Sequence, residues 1–240
     1  MIGGIIWRLA LVAVALVTAG VQLDRQSGKT IVFAESVPGP LRSVAQRPVA
    51  ALALDGENPE YALAEAERLV RRRPLPAEHL RILAQAQFAA NDPEASALTI
   101  QYAAQRGWRE PLAQEAMLRL AIDANDADEA ARRYAALFLR RDTADALLEE
   151  LGPAVLSEPG GEGRKTLAGI VDGGTRWHNQ FLQRGSRVMP ADAFAEIVAT
   201  TIEGGTRYDC APLQQVVATV TQRNEAVGEE FARLVESQCP

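Results

Sequence analysis

A turn motif that recurs at a fixed interval constrains the fold of this chain more than any other feature. Three short segments of similar composition begin at residues 56, 90 and 124, so each starts 34 residues after the last. Their third residues are Asn58, Asp92 and Asp126, which are of the types that favour the N-cap of a helix. A period of about 34 residues accommodates two helices and their turns. The sequence therefore predicts a stack of antiparallel helix pairs.

The residues between these turns have helical rather than strand periodicity. Leu80, Leu83, Ala84 and Phe88 follow the i, i+3, i+4, i+8 spacing of one helix face. Aromatic residues make up only 5% of the chain, which favours an all-α fold over a β-sandwich. The predicted helix pairs are 41–55 with 59–72, 77–89 with 93–106, and 111–123 with 127–141.

Several positions within the pairs carry the same kind of residue from one repeat to the next. A large residue precedes a small one in the first helix, an alanine lies early in the second, and a proline closes one repeat: Val49-Ala50, Leu83-Ala84, Leu151-Gly152, Ala62, Ala130 and Pro74. With this pattern residues 43–144 resemble the tetratricopeptide repeat (TPR) family. Met117-Leu118 and Ser96 depart from it, and the aromatic residue of the family's first helix is missing. The resemblance implies an α-solenoid whose concave face, lined by the first helices, captures protein segments.

Beyond residue 144 the repeat weakens. A degenerate fourth unit extends to about residue 172, and we expect Pro153 to interrupt its first helix. From residue 173 the period is lost, although helices are predicted at 176–183, 191–203, 212–221 and 225–237. We interpret this part as a helical cap, because a solenoid must cover its last apolar face. The predicted organisation is a membrane or signal segment at 1–23, a linker at 24–40, TPR-like repeats at 41–172 and a cap at 173–240.

Residues 5–23 form a nearly continuous apolar segment. Its 19 residues suit one pass through a bilayer, with Trp7 at the interface and Arg8 extended towards the head groups. The alternative is a signal peptide cleaved after the small residues 17–19. Because the segment stays apolar through Leu23, we favour an uncleaved anchor.

A short N-terminal flank before a long folded domain is typical of a signal anchor that places the domain outside the cytoplasm. The arginine bias, with Lys29 and Lys165 as the only lysines, is typical of a GC-rich bacterial genome. The predicted location is therefore the bacterial inner membrane, with a single pass and a periplasmic domain. Cys210 and Cys239 suit that oxidising compartment, and we expect them to form a disulfide that fixes the last helix to the cap, although two separate buried thiols are the alternative.

The sequence contains no recognisable catalytic or cofactor-binding group of residues. His79 is expected at the surface, and it lies apart from other metal-ligating residues. Arg176, Trp177 and His178 form an unusual cluster, which packs the cap or provides an enzymatic or carbohydrate-binding site. We predict no cofactor and no metal. The net charge of −6 also argues against a nucleic-acid partner.

The connection between the second and third pairs holds the strongest candidate for a partner contact. Trp108 lies between Arg106 and Arg109, and an exposed tryptophan flanked by arginines can anchor a protein partner. The alternative is that Trp108 packs into the junction between repeats. Together these features predict a non-enzymatic, membrane-tethered scaffold that binds a segment of another cell-envelope protein on its concave face. The alternatives are an envelope enzyme, a carbohydrate-binding accessory factor with its site in the cap, or a structural spacer.

Overall fold

The computed structural model describes residues 2–239, and the chain divides into two compact units between Glu110 and Pro111. Every regular element in this described range is helical, with thirteen α-helices, three short 3₁₀ turns and no strand. The predicted all-α class, with one apolar helix at the N-terminus, is confirmed.

The first unit contains the N-terminal helix and two helix pairs. Its elements are α1 (Ile2–Ser27), 3₁₀ turns at Ile31–Phe33 and Gly39–Leu41, α2 (Gln46–Leu54), α3 (Pro59–Arg72), α4 (Ala77–Ala89) and α5 (Pro93–Arg106). Consecutive helices from α2 to α5 pack on one another, and α2 also contacts α4. This packing of neighbours along the chain is compatible with a solenoid.

The second unit contains eight helices. These are α6 (Pro111–Asp123), α7 (Ala127–Phe138), α8 (Asp145–Val155), α9 (Glu162–Asp172), α10 (His178–Val188), α11 (Ala191–Glu203), α12 (Cys210–Arg223) and α13 (Glu225–Gln238). Seven of them form two layers, because α8, α10 and α12 are successive neighbours on one side, and α7, α9, α11 and α13 on the other, while α6 packs on α7. Helices α10 to α13, interpreted from the sequence as a cap, therefore continue the layers of α7 to α9.

The recurring turns have the predicted caps. The side chains of Asn58, Asp92 and Asp126 accept hydrogen bonds of 2.8, 3.1 and 3.0 Å from backbone N–H groups three residues later. Asn91 and Asn125 precede two of these caps with φ of 62° and 54°, a left-handed conformation that asparagine tolerates. A left-handed residue followed by a cap ends one helix and starts the next, which explains why the turn motif recurs.

A chain of aromatic rings runs through the core of the second unit. Tyr134, Phe138, Phe181, Phe194 and Phe231 are all buried, and successive ring centroids lie 5.4–6.3 Å apart. These distances are typical of favourable aromatic pairs. The rings come from α7, α10, α11 and α13, so a single core joins the predicted repeats to the predicted cap.

Two local expectations differ from the structure. Pro153 does not interrupt α8, which continues to Val155. The carbonyl that the proline leaves without a helical partner belongs to Glu149, an exposed residue, so water can satisfy it. Part of the predicted linker is also structured: α1 extends to Ser27, and Ala34 and Val37 are buried in a small cluster with Ala45 and Val49.

Candidate binding cleft

An open polar cleft lies beside α8 and α10 in the second unit. Its volume is about 610 Å³, and all eight lining residues are polar: Arg141, Asp145, Arg176, Asn179, Gln180, Gln183, Arg184 and Arg187. Four arginines and one aspartate give the lining a formal charge of +3 (4 − 1). The whole chain carries −6, so the cleft is a local reversal of charge.

Arg184 forms the fixed base of this cleft. Its guanidinium is largely buried and donates to the carbonyl oxygens of Phe138 and Arg140, each at 2.6 Å, and to the carbonyl of Thr143. The same group lies 5.6 Å from the centroid of the Phe138 ring. Because positive charge is favourable beside the free carbonyls at a helix C-terminus, Arg184 stabilises the end of α7.

Asp145 is the one carboxylate in the lining, and two arginines share it. Arg184 Nε donates to its Oδ1 at 2.8 Å, whereas the Arg187 guanidinium is 3.7 Å from Oδ2. The Arg187 side chain is 61% exposed, so this second ion pair is loose and open to solvent. Arg187 can therefore approach another carboxylate without losing a buried contact.

Arg141 and Arg176 add charge that no carboxylate of residues 2–239 neutralises through an ion pair. Both are exposed, and the Arg176 guanidinium lies 4.4 Å from the centroid of the Trp177 ring. Stacking on an aromatic face holds a guanidinium in place while leaving its N–H groups available at the edge. Arg141 and Arg176 thus present guanidinium N–H donors to solvent in the cleft.

Amide groups complete the lining along α10. Gln180 donates to the carbonyl oxygens of Phe138 and Leu139 at 3.3 and 3.2 Å, which ties α10 to the end of α7. Asn179 and Gln183 are exposed on the same helix. Their amides can both donate and accept hydrogen bonds, so they suit the backbone of an extended peptide.

Sequence reasoning missed this cleft. Gln180, Arg184 and Arg187 recur at helical spacing, and that polar stripe was the available signal. The contribution of Arg141 depends on the packing of α8 against α10, which no local pattern reveals.

The predicted partner contact lies in the first unit, after α5. Trp108 is 52% exposed, with the Arg109 guanidinium 4.9 Å from the centroid of its ring. Arg106 instead donates to the Pro74 carbonyl at 2.6 Å and holds the α3–α4 connection. Trp108 and Arg109 therefore remain candidates for partner contact, whereas Arg106 has a structural role in this loop.

Both histidines are buried, which corrects the surface assignment of His79. Its Nδ1 lies 2.8 Å from the Arg73 carbonyl oxygen. His178 packs its ring 4.7 Å from that of Tyr208, centroid to centroid, and its buried Nε2 has no hydrogen-bond partner within residues 2–239. His178 is therefore buried whereas Arg176 is exposed, so the three residues 176–178 do not form one surface site. The described residues also contain no group of three or more potential metal ligands.

Cys210 and Cys239 are joined by a disulfide in the structure, with their Cα atoms 5.7 Å apart. Cys210 begins α12 and Cys239 follows α13, and these two helices pack closely. The bond thus ties the end of the chain to the start of its last helix pair.

Comparisons with known proteins do not assign the chain to a family. No protein-family model matches it, no curated protein is significantly similar, and no solved structure matches its fold. The TPR resemblance therefore rests on the sequence pattern.

Proposed function

We propose that this protein is a non-enzymatic, TPR-like scaffold anchored in a bacterial membrane by α1, and that its cleft binds an acidic segment of another cell-envelope protein. The observation that carries the proposal is the positively charged lining of the cleft in a chain whose net charge is −6. A guanidinium group can donate two parallel N–H hydrogen bonds to a carboxylate. Exposed Arg141, Arg176 and Arg187 place three such groups within one cleft.

The form of the cleft favours an extended segment over a small molecule. Small-ligand pockets enclose most of the ligand and are largely apolar. This cleft is open and lined throughout by polar side chains, with exposed amides at Asn179 and Gln183. A peptide can place carboxylates against the arginines while its backbone pairs with these amides. The overall negative charge disfavours nucleic acid as the occupant.

The membrane assignment rests on α1. Within residues 2–239 it is the helix that is long and apolar enough to cross a membrane. Its helical course is continuous through residues 17–19, where a signal peptidase would cut, and Gly20 is already buried against Leu41. These features favour an anchor over a cleaved signal. The Cys210–Cys239 disulfide supports a periplasmic location for the folded domain, because disulfides persist in oxidising compartments.

Site-specific crosslinking in native membranes tests the proposal. A photoreactive amino acid at position 183 should crosslink to a protein, and the double variant R141E/R187E should lose that product. R132E provides the matched control, because Arg132 is also 61% exposed and lies in the same unit on α7, outside the cleft lining. Loss of the product in R132E as well, or its persistence in R141E/R187E, would contradict the proposal.

A further inference from the structure

Three consecutive apolar side chains stand exposed beside the membrane helix. Ile31, Val32 and Phe33 form a 3₁₀ turn and are 55%, 80% and 38% exposed. The turn contacts α1, and the next residue, Ala34, is fully buried. The fold therefore holds these residues in place with their side chains turned outwards.

The segment around this turn is fixed to α1 by specific contacts. The buried carboxylate of Asp24 accepts hydrogen bonds of 2.9–3.1 Å from the backbone N–H groups of Ser43, Val44 and Ala45. At Gly20, which lies four residues before Asp24 on α1, the side chain of Leu41 occupies the space that a Cβ would need. Since Thr30 N–H also donates to the Gln26 carbonyl at 3.0 Å, the chain turns directly at the end of α1.

These contacts define which part of α1 is available to a bilayer. Before Gly20, residues 2–19 of the helix span about 27 Å at 1.5 Å per residue, close to the thickness of the hydrocarbon core. Beyond Gly20 the folded unit packs on the helix, although Val21 and Leu23 are still 40% and 37% exposed. If residues 2–19 cross the hydrocarbon, the last two turns of α1 lie in the head-group layer.

We propose that Ile31, Val32 and Phe33 form a second membrane contact, inserted among the lipid head groups beside α1. This inference rests on the proposed anchoring by α1, the helix that the apolar turn contacts. Arg25 and Lys29 are exposed at the same end of the helix and can pair with lipid phosphates, whereas Glu35 is the one exposed carboxylate in residues 25–41. The first unit then rests directly on the membrane surface, without a flexible tether.

Depth measurements on the full-length protein test this contact. Single variants V32C, L75C and L11C are labelled with an environment-sensitive fluorophore under non-reducing conditions and reconstituted into vesicles of phosphatidylcholine and phosphatidylglycerol. Leu75 is the matched control, because it is also 80% exposed in the same unit but lies between α3 and α4. Leu11 reports on the anchor itself. The parent protein controls for labelling of the native cysteines.

We expect the V32C label to emit at shorter wavelength than the L75C label, and to be quenched by lipids with a nitroxide at the head group. The L11C label should be quenched by nitroxides deep in the acyl chains. If V32C behaves like L75C while L11C is deep, the second contact is overturned and the anchor stands. If L11C is also accessible to water, both proposals fail.

Discussion

Arg184 and Asp145 connect α10 to the first turn of α8 through a hydrogen bond of 2.8 Å between Nε and Oδ1. The other nitrogen atoms of Arg184 donate to three carbonyls at the end of α7 and in the loop that follows it. One buried side chain thus positions the base of the cleft and the ends of two helices.

The first prediction concerns this arginine. R184A should lower the free energy of unfolding by about 3 kcal/mol or more, because it leaves buried carbonyls and Asp145 without their donor. R184K should recover only part of the loss, since an ammonium group cannot reproduce the planar fork. Urea titration, monitored by circular dichroism, measures the free energy of unfolding of both variants. A decrease of less than about 1 kcal/mol in R184A would contradict the structural role of Arg184.

A second prediction concerns Asp24, which caps the backbone ahead of α2. Because Asp24 accepts these backbone N–H groups as an N-cap side chain does, D24A should destabilise the start of α2 by about 0.5–2 kcal/mol, the usual range for a lost N-cap, and D24N should be milder because it keeps one acceptor oxygen. Hydrogen exchange at the amides of Ser43, Val44 and Ala45 measures the effect locally. Unchanged exchange there in D24A would show that the contact does not form.

The third prediction concerns the disulfide. Loss of the Cys210–Cys239 bond, which closes a loop with a sequence separation of 29, should cost roughly 3–4 kcal/mol on the chain-entropy estimate. Dithiothreitol should therefore lower the melting temperature of the parent protein and leave that of C210S/C239S unchanged. Thiol counting in denatured, unreduced protein provides a direct check, because two free thiols would show that the cysteines do not pair.

The fourth prediction is a loss of stability at alkaline pH. Burial raises the pKa of Tyr208 to about 12, against about 10 for an exposed tyrosine. The unfolded chain then releases this proton first, so the stabilisation is complete below pH 10 and is lost as the pH rises towards 12. Y208F should make the stability less dependent on pH in this window, whereas Y102F, at a half-exposed tyrosine, should not. Equal curves for Y208F and the parent protein would contradict the assignment.

Helix positions could be predicted where caps and prolines mark them. The predicted bounds 59–72, 77–89, 93–106 and 111–123 agree with α3 to α6, because Asn58 and Asp92 start two of these helices and the Asn-Asp turns mark where the first helix of a pair ends. Helix α7 ends at Phe138 instead of residue 141, since Arg184 from α10 takes the carbonyls at its end. That contact depends on tertiary structure, and no local signal predicts it.

The candidate site was harder to predict than the fold. The sequence drew attention to Trp108, which is exposed, and to His178, which is buried. The cleft instead combines residues 141–145 with residues 176–187, two segments that are far apart in the sequence and meet because α10 packs beside α8. These separate charges form one binding surface only when α8 and α10 pack together, so features of single residues did not predict it.

Binding of an acidic peptide tests the central claim most directly. Fluorescence anisotropy of a labelled deca-glutamate peptide should show binding to the full-length protein at low salt, and deca-glutamine should bind at least about tenfold more weakly. R141E/R187E should lose a similar factor, R132E should bind like the parent protein, and raised salt should weaken binding because the arginines are exposed. Equal affinity of deca-glutamate for the parent protein and R141E/R187E, or of the two peptides for the parent protein, would contradict the account.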